Sequence, residues 1–145
     1  MKTIILYYSH SGNTKALALK KASKLGVDIE EIVEVKKPFI AIGLFKAAMR
    51  KKTAIQPIKA QLDGFDKIII MSPVWAGHPV PAINSVIVCL PKGKAVEFIM
   101  VSAGGGSKGS AEKTKALITM QGCEVVEYTD LQAKRKGGEA SSREP

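Results

Sequence analysis

Runs of β-branched and other apolar residues recur along this chain, and a segment with helical spacing follows almost every one. The first run, TIILYY at residues 3–8, precedes a short polar loop and the helical segment ALALKKASKL. Four further runs, at residues 28–35, 66–72, 95–101 and 123–128, are predicted strands. Such strands separated by helices are typical of a parallel sheet covered on both faces. The sequence therefore predicts an α/β fold with five parallel strands and right-handed crossovers.

The helices between these strands have recognisable ends. Gly26 and Gly122 are placed to end the first and last helices, because glycine adopts the left-handed conformation that closes a helix. A third helix is predicted over residues 80–90. The stretch from residue 36 to residue 59 fits the pattern least well, and there we predict only a short helix at residues 42–51.

The length of 145 residues favours one domain, which we place at residues 1–130. Residues 131–145 are polar and basic, so we expect a disordered tail and no fifth covering helix. The apolar run at the N-terminus is too short for a signal peptide, and no stretch is long enough to span a bilayer. A cytoplasmic location is expected by default.

The charge and the cysteines limit the choice of partner and chemistry. The formal net charge of +9 attracts anionic partners, and its densest cluster is Lys46, Arg50, Lys51 and Lys52. Cys89 and Cys123 are far apart in sequence and are expected to be reduced core thiols. With two histidines in the chain, a zinc site is not expected, and nucleic-acid motifs are not visible.

Three loops follow the carboxyl ends of predicted strands, which is where open parallel sheets bind ligands. In the first, SHSGNT, backbone N–H groups at the start of a helix can converge on a phosphate, and Gly12 permits close approach. The same residues could simply cap the helix. The spacing of a nucleotide-triphosphate loop is absent, and so is the GxGxxG dinucleotide motif.

The second and third loops add weaker signals. Trp75, the only tryptophan, lies at the end of a predicted central strand, where it could stack on a flat ring or merely cover the core. The loop SAGGGSKGS is rich in glycine, which suits either backbone contact with a ligand or simple mobility. All three loops are predicted at the same edge of the sheet, and this favours a binding site over three unrelated coincidences.

The motif SHSGNT resembles the phosphate-binding loop of flavodoxins, and PVWAGHPVPAIN looks like their second flavin loop. The resemblance covers most of residues 1–130. It implies a flavodoxin-like, doubly wound five-stranded parallel sheet of order 2-1-3-4-5 and non-covalent FMN. The implied cofactor-binding residues are Ser9, His10, Ser11, Gly12, Asn13 and Thr14 for the phosphate; Pro73, Val74, Trp75, Ala76, Gly77 and His78 along the isoalloxazine; and Ser102, Ala103, Gly104, Gly105, Gly106 and Ser107 at its opposite edge.

The chain departs from flavodoxins in three respects: its body is basic, its third loop lacks an aromatic residue and its last helix is missing. The second departure would leave one flavin face open. The third would expose apolar sheet surface beside the first helix, so we expect a homodimer, or docking to another chain, through that face.

Three functions are consistent with these features. The leading expectation is an FMN electron-transfer protein that docks an acidic redox partner and needs no dedicated catalytic residue. The alternatives are an FMN-dependent NAD(P)H:quinone-type reductase and a flavin-free binding module. In either redox case, a protonated His78 could stabilise the reduced flavin, although both His78 and His10 could equally be solvent-facing.

Overall fold

A computed structural model describes residues 1–36 and 39–133 and the backbone of residues 141–143. The strands are β1 (Thr3–Tyr7), β2 (Asp28–Glu31), β3 (Lys67–Trp75), β4 (His78–Pro79), β5 (Ala95–Ser102), β6 (Glu124–Gln132) and β7 (Ser141–Arg143). The helices are α1 (Asn13–Leu25), α2 (Ile40–Ala48), α3 (Pro81–Val88) and α4 (Ala111–Met120).

The sheet has the order β2-β1-β3-β5-β6, with all of these neighbours parallel. If the short β4 is left out, this is the predicted order 2-1-3-4-5, which is therefore confirmed. β1, β3 and β5 lie side by side, so their carboxyl ends open onto the same edge of the sheet. The loops that follow these three strands are the ones predicted to bind the cofactor.

Side chains that alternate along the strands build a core on each face of the sheet. Ile68 and Ile70 of β3 belong to one buried cluster, which also contains Ile83 of α3 and Ile118 of α4. Ile69, next to them in sequence, belongs to the second cluster, with alanines of α1. The continuous apolar run of β3 reflects this burial on both faces.

The second cluster bears on the prediction that apolar sheet surface beside α1 is exposed. Met71, Ile99 and Val101, on the face of α1, are each less than 5% exposed. The large apolar sheet surface predicted there is thus not observed at these positions, although no helix follows β6 in residues 1–36, 39–133 and 141–143. The homodimer was predicted from that exposed surface. It stays a prediction, and the burial of these residues does not support it.

Several element boundaries differ from those predicted. The predicted second strand shortens to β2, and α2 starts two residues before the predicted helix. β6 continues to Gln132, two residues into the predicted tail, and β7 pairs with it in antiparallel orientation. The rest of the tail prediction falls on residues 134–140 and 144–145, outside the described residues.

Cys89 is exposed, contrary to prediction, because it follows the last turn of α3, whereas Cys123 is buried. A mainly apolar groove of about 370 Å³ lies beside Cys89 and is formed largely by the segment from Ile55 to Asp63. None of the predicted cofactor residues lines this groove. Among the described residues, we find no helix that is both long and apolar enough to cross a membrane.

Candidate functional site

The first loop is a tight turn organised by Ser9. The backbone N–H groups of Gly12 and Lys15 donate hydrogen bonds to Ser9 Oγ at 3.1 and 3.2 Å. Gly12 has a φ of 94°, a conformation that costs an L side chain free energy, and directly precedes the first residue of α1. The side chains of His10, Ser11 and Asn13 are exposed, so the loop faces solvent at the sheet edge.

The start of α1 is a suitable place for a phosphate. Within the described part of the chain, the backbone N–H groups of Ser11, Asn13 and Thr14 donate to no protein acceptor. The first turn carries no acidic residue that would repel an anion. The unpaired N–H groups and the helix dipole both favour negative charge here. Ser9 Oγ takes the Lys15 N–H of this turn as a capping side chain does, and the remaining N–H groups are compatible with a phosphate.

The second loop, predicted only as a loop after the strand at residues 66–72, is a β-hairpin. Trp75 at the end of β3 pairs with His78 of β4 in antiparallel register. Ala76 and Gly77 form the two-residue turn with φ values of 51° and 76°. Positive φ at both turn residues is the geometry that tight hairpins prefer, but it is usually signalled by Asn-Gly rather than Ala-Gly.

Trp75 connects the hairpin to the first loop and to α2. Its ring lies edge-on to His10, with centroids 5.5 Å apart, and edge-on to Tyr8 at 6.0 Å. On its other side is the backbone of α2, because a Cβ on Gly43 would lie 2.6 Å from Trp75 Cζ3. Two of the three predicted loops therefore meet at this half-buried indole, and α2 packs against it.

Hydrogen bonds of its serine side chains fix the conformation of the third loop. The Gly106 N–H donates to Ser102 Oγ at 3.2 Å, and Ser107 Oγ donates to Asp130 Oδ1 at 2.6 Å. The Ser107 hydroxyl also lies 2.6 Å from the Tyr128 hydroxyl, and the residue is only 1% exposed. Ser107 therefore stabilises the loop from inside. Ala103, Gly104 and Gly105, by contrast, are exposed.

Ser110 links the third loop to the second, and Arg50 links the segment after α2 to Ser110. Ser110 Oγ donates to the Gly77 carbonyl at 2.7 Å, and Arg50 Nη2 donates to the Ser110 carbonyl at 3.2 Å. Arg50 itself has a φ of 55°, and its Nη1 is buried without a hydrogen-bond partner among the described residues. This role of Arg50 was not predicted, because contacts between residues 60 positions apart leave no local pattern in the sequence.

The cations around the hairpin affect its histidine. Burial lowers the pKa of His78 below its usual 6.5, and the positive charges of Arg50 and Lys113 lower it further. The imidazole is therefore neutral at pH 7, unlike the protonated group considered from the sequence. Positive charge at this side of the site comes from Arg50 and Lys113 instead.

Two buried tyrosines lie at the ends of this region. Burial and the neighbouring Glu34 carboxylate raise the pKa of Tyr8 well above its usual range, and its hydroxyl donates to Glu34 Oε1. Burial is also the main reason that the pKa of Tyr128 rises to about 12. Both phenols thus stay protonated at neutral pH and act as hydrogen-bond donors.

The chain is similar to several known proteins. It matches the NADPH-dependent FMN reductase family over residues 1–132. It is 26% identical to a flavoprotein from Lactobacillus acidophilus NCFM whose crystal structure contains FMN, with a TM-score of 0.75 and coverage of 91% of this chain and 93% of that one.

Two further matches are more distant. A WrbA-like flavodoxin from Agrobacterium tumefaciens is 16% identical, with a TM-score of 0.60 over 86% of this chain and 76% of that one, and supports the fold alone. An uncharacterized protein of Archaeoglobus fulgidus is 25% identical over 134 residues, which are 91% of this chain and 85% of that protein.

The residues of the site fit FMN. The start of α1 offers unpaired N–H groups to the phosphate, and Trp75 offers an aromatic surface beside the same loop. The individual contacts of the residues named from the sequence remain predictions. With the match extending from residue 1 to residue 132, the chain belongs to the NADPH-dependent FMN reductase family, and the predicted flavodoxin-like fold and FMN cofactor are confirmed.

Proposed function

We propose that this protein is an FMN-dependent oxidoreductase that oxidises NADPH. The observation that carries the proposal is the absence of an aromatic side chain on the third loop, where Ala103, Gly104 and Gly105 face solvent. The family to which the chain belongs is described by the same activity. Bound FMN would supply the redox chemistry of such a reaction.

The residues of the chain then bind FMN and hold it in position for the reaction. Backbone N–H groups at the start of α1 hold the phosphate, with the hydroxyls of Ser11 and Thr14 close in sequence as additional donors. Trp75 and the hairpin provide one wall for the ring system. The exposed third loop leaves room on the other side for a nicotinamide or another flat substrate. Arg50 and Lys113 supply the positive charge that favours a reduced, anionic ring.

The test is anaerobic mixing of the FMN-loaded protein with NADPH. We expect the oxidised flavin absorbance to bleach in a single exponential whose rate saturates with NADPH concentration. A short-chain quinone added afterwards should restore the oxidised spectrum. If dithionite reduces the bound flavin and neither NADPH nor NADH does so on the timescale of minutes, the reductase proposal is wrong.

A one-electron carrier is the second candidate, and the positive charge of the chain favours it. Lys46 lies in the last turn of the helix that packs against Trp75, and Arg50, Lys51 and Lys52 follow it, so an acidic redox protein could dock near the cofactor. Electron transfer to such a partner should slow as ionic strength rises, because salt screens charges across a docking surface. Saturable NADPH oxidation without any partner protein would argue against this candidate.

A further inference from the structure

The positive charge of the chain is concentrated in one segment. Residues 35–62 contain seven lysines and arginines and no aspartate or glutamate. The described basic residues of this segment include Lys36, Lys51 and Lys52, all of which are exposed. Since the net charge of the whole chain is +9, most of the excess lies in this segment, which contains α2.

The helix in this segment presents apolar side chains to solvent. Phe39, just before α2, is 83% exposed, and Phe45 and Met49 are 60% and 57% exposed. Ile40 and Ile42 are each nearly half exposed. A surface helix normally turns polar residues outward, so this solvent face has the reverse polarity. Adjacent exposed apolar side chains of this size mark an interaction surface.

Two small residues of α2 point inward. Gly43 and Ala47 are buried, and Gly43 lies against Trp75. The small residues let the helix backbone approach the hairpin closely, and this leaves the large apolar residues on the outside. The outward orientation of Phe45 and Met49 thus follows from how α2 packs on the hairpin.

We propose that the solvent face of α2, together with Lys36, Lys51 and Lys52, docks on the surface of an anionic lipid bilayer. Apolar side chains flanked by cations, with no acidic residue among them, match the acyl boundary and the negative headgroups of such a surface. Self-association through this face would bring two strongly positive segments together. The helix has nine residues, so it lies on the bilayer and does not span it.

Docking in this way would bring the edge of the sheet that carries Trp75 next to the bilayer. An apolar electron acceptor dissolved in the lipid would then have a short path to the site. The proposed lipid contact depends only on the solvent face of α2 and on Lys36, Lys51 and Lys52. It can therefore hold or fail whatever the FMN-bound protein does with NADPH.

The test is flotation of the full-length protein with vesicles of phosphatidylcholine, with and without phosphatidylglycerol. We expect binding only to vesicles that contain the anionic lipid, and release as salt is raised. Trp75, the single tryptophan, reports the contact by a change in its fluorescence in the cofactor-free protein. Absence of binding to anionic vesicles at low salt would overturn the proposal.

Matched variants separate the apolar and charged contributions. Phe45→Ser with Met49→Ser, and separately Lys51→Glu with Lys52→Glu, should each lower vesicle binding more than about tenfold. The controls change equally accessible residues elsewhere: Met120→Ser with Val126→Ser, and Lys20→Glu with Lys24→Glu on α1. These controls should bind vesicles as the unmodified protein does.

Three results would show that the solvent face of α2 binds something other than a bilayer, or binds nothing. If the charge variant alone loses binding, and soluble polyglutamate competes for the protein, the surface binds acidic polymers and not a bilayer. If the protein sediments as a dimer that Phe45→Ser with Met49→Ser dissociates, while vesicles fail to bind it, the occupant is a second copy. Equal losses in the control variants would show that no specific surface exists.

Discussion

Ser107 links the third loop to β6 by three hydrogen bonds. Its hydroxyl lies 2.6 Å from both the Tyr128 hydroxyl and Asp130 Oδ1, and its N–H also donates to that carboxylate. Ser107→Ala would leave two buried polar groups short of a partner, so we expect it to lower the free energy of unfolding by about 1–3 kcal/mol. Urea denaturation followed by circular dichroism measures this loss.

The control for Ser107 is Ser11→Ala, which removes an exposed hydroxyl of the first loop and should leave the unfolding free energy almost unchanged. Tyr128→Phe and the double variant complete a thermodynamic cycle. A coupling free energy near zero between Ser107 and Tyr128 would mean that the two hydroxyls stabilise the fold independently, contrary to the network described.

His78 should make the stability of the protein depend on pH. Because its pKa is lowered in the folded state, the unfolded chain takes up a proton first as the pH falls below 6.5. The folded protein is therefore destabilised progressively from about pH 7 downward until its own imidazole protonates. His78→Gln should lose less stability than the unmodified protein between about pH 7 and pH 5, and His10→Gln, at an exposed position, is the histidine control.

The difference between the two histidine variants is the informative quantity, because carboxylates titrate in all of the proteins compared. Identical pH profiles of stability for His78→Gln and the unmodified protein would show that His78 is not in the desolvated, positively charged surroundings described here. Such a result would reopen the protonated imidazole considered from the sequence.

Individual residues were predictable where their neighbours in sequence form the site. The turn from Ser9 to Thr14 is built by adjacent residues, so a tight loop between β1 and α1 was predictable, and its contact with a phosphate stays a prediction. Trp75 stood out because it is the only tryptophan and follows a strong strand pattern. Arg50 and Ser110 had no such signal, because their contacts join distant parts of the chain.

At the level of elements, the close packing of α2 on Trp75 depends on the absence of a side chain at Gly43. A Cβ at position 43 would lie 2.6 Å from Trp75 Cζ3, a distance at which the indole or the helix must move. We expect Gly43→Ala to shift Trp75 fluorescence and to weaken FMN binding by about tenfold, since displacement of an indole beside the cofactor costs on the order of 1 kcal/mol. Gly64→Ala is the control, because a Cβ there meets no atom within 4 Å.

In Gly43→Ala, two opposite effects contribute to the change in the free energy of unfolding. Alanine favours a helix over glycine by about 1 kcal/mol, which offsets part of the clash. The measurements that decide are therefore Trp75 emission and FMN titration, and not the melting temperature. Unchanged emission and affinity in Gly43→Ala would mean that α2 does not pack on Trp75 as closely as described.

Elements with a strong periodic pattern were predicted well, and those set by tertiary contacts were not. The β3 run of isoleucines could only be a buried strand, and Gly26 and Gly122 mark the ends of α1 and α4 with positive φ. The hairpin that contains Trp75 was missed because Ala-Gly is an uncommon turn. The bounds of α2 were displaced because its apolar residues face solvent, so periodicity could not show which face was buried.

At the level of the whole molecule, the strand order was predictable because a resemblance supplied it and because crossover rules allow few alternatives. The two-sided core follows from the same topology. The face of the sheet beside α1 is buried at Ile99 and Val101, because Leu131 and Ala133, in the predicted tail, pack against the cluster that contains them. Analytical ultracentrifugation tests the predicted homodimer directly, whichever surface would form it.

Binding at the first loop should stabilise the entire fold. A ligand that binds only the folded state adds about 2.7 kcal/mol at a concentration of 100 times its Kd. We expect FMN to raise the melting temperature markedly and riboflavin, which lacks the phosphate, to raise it much less. Gly12→Ala should remove most of this difference, because an L side chain at a φ of 94° strains the turn that presents the N–H groups.

Gly93 provides the matched control for this experiment. Its φ of 82° carries the same penalty for an L side chain, and the space around a Cβ there is as open as at Gly12. Both variants should therefore lose about 1 kcal/mol or more of intrinsic stability. Only Gly12→Ala should lose the preference for FMN over riboflavin. Equal stabilisation of the unmodified protein by FMN and riboflavin would mean that the start of α1 does not hold the phosphate.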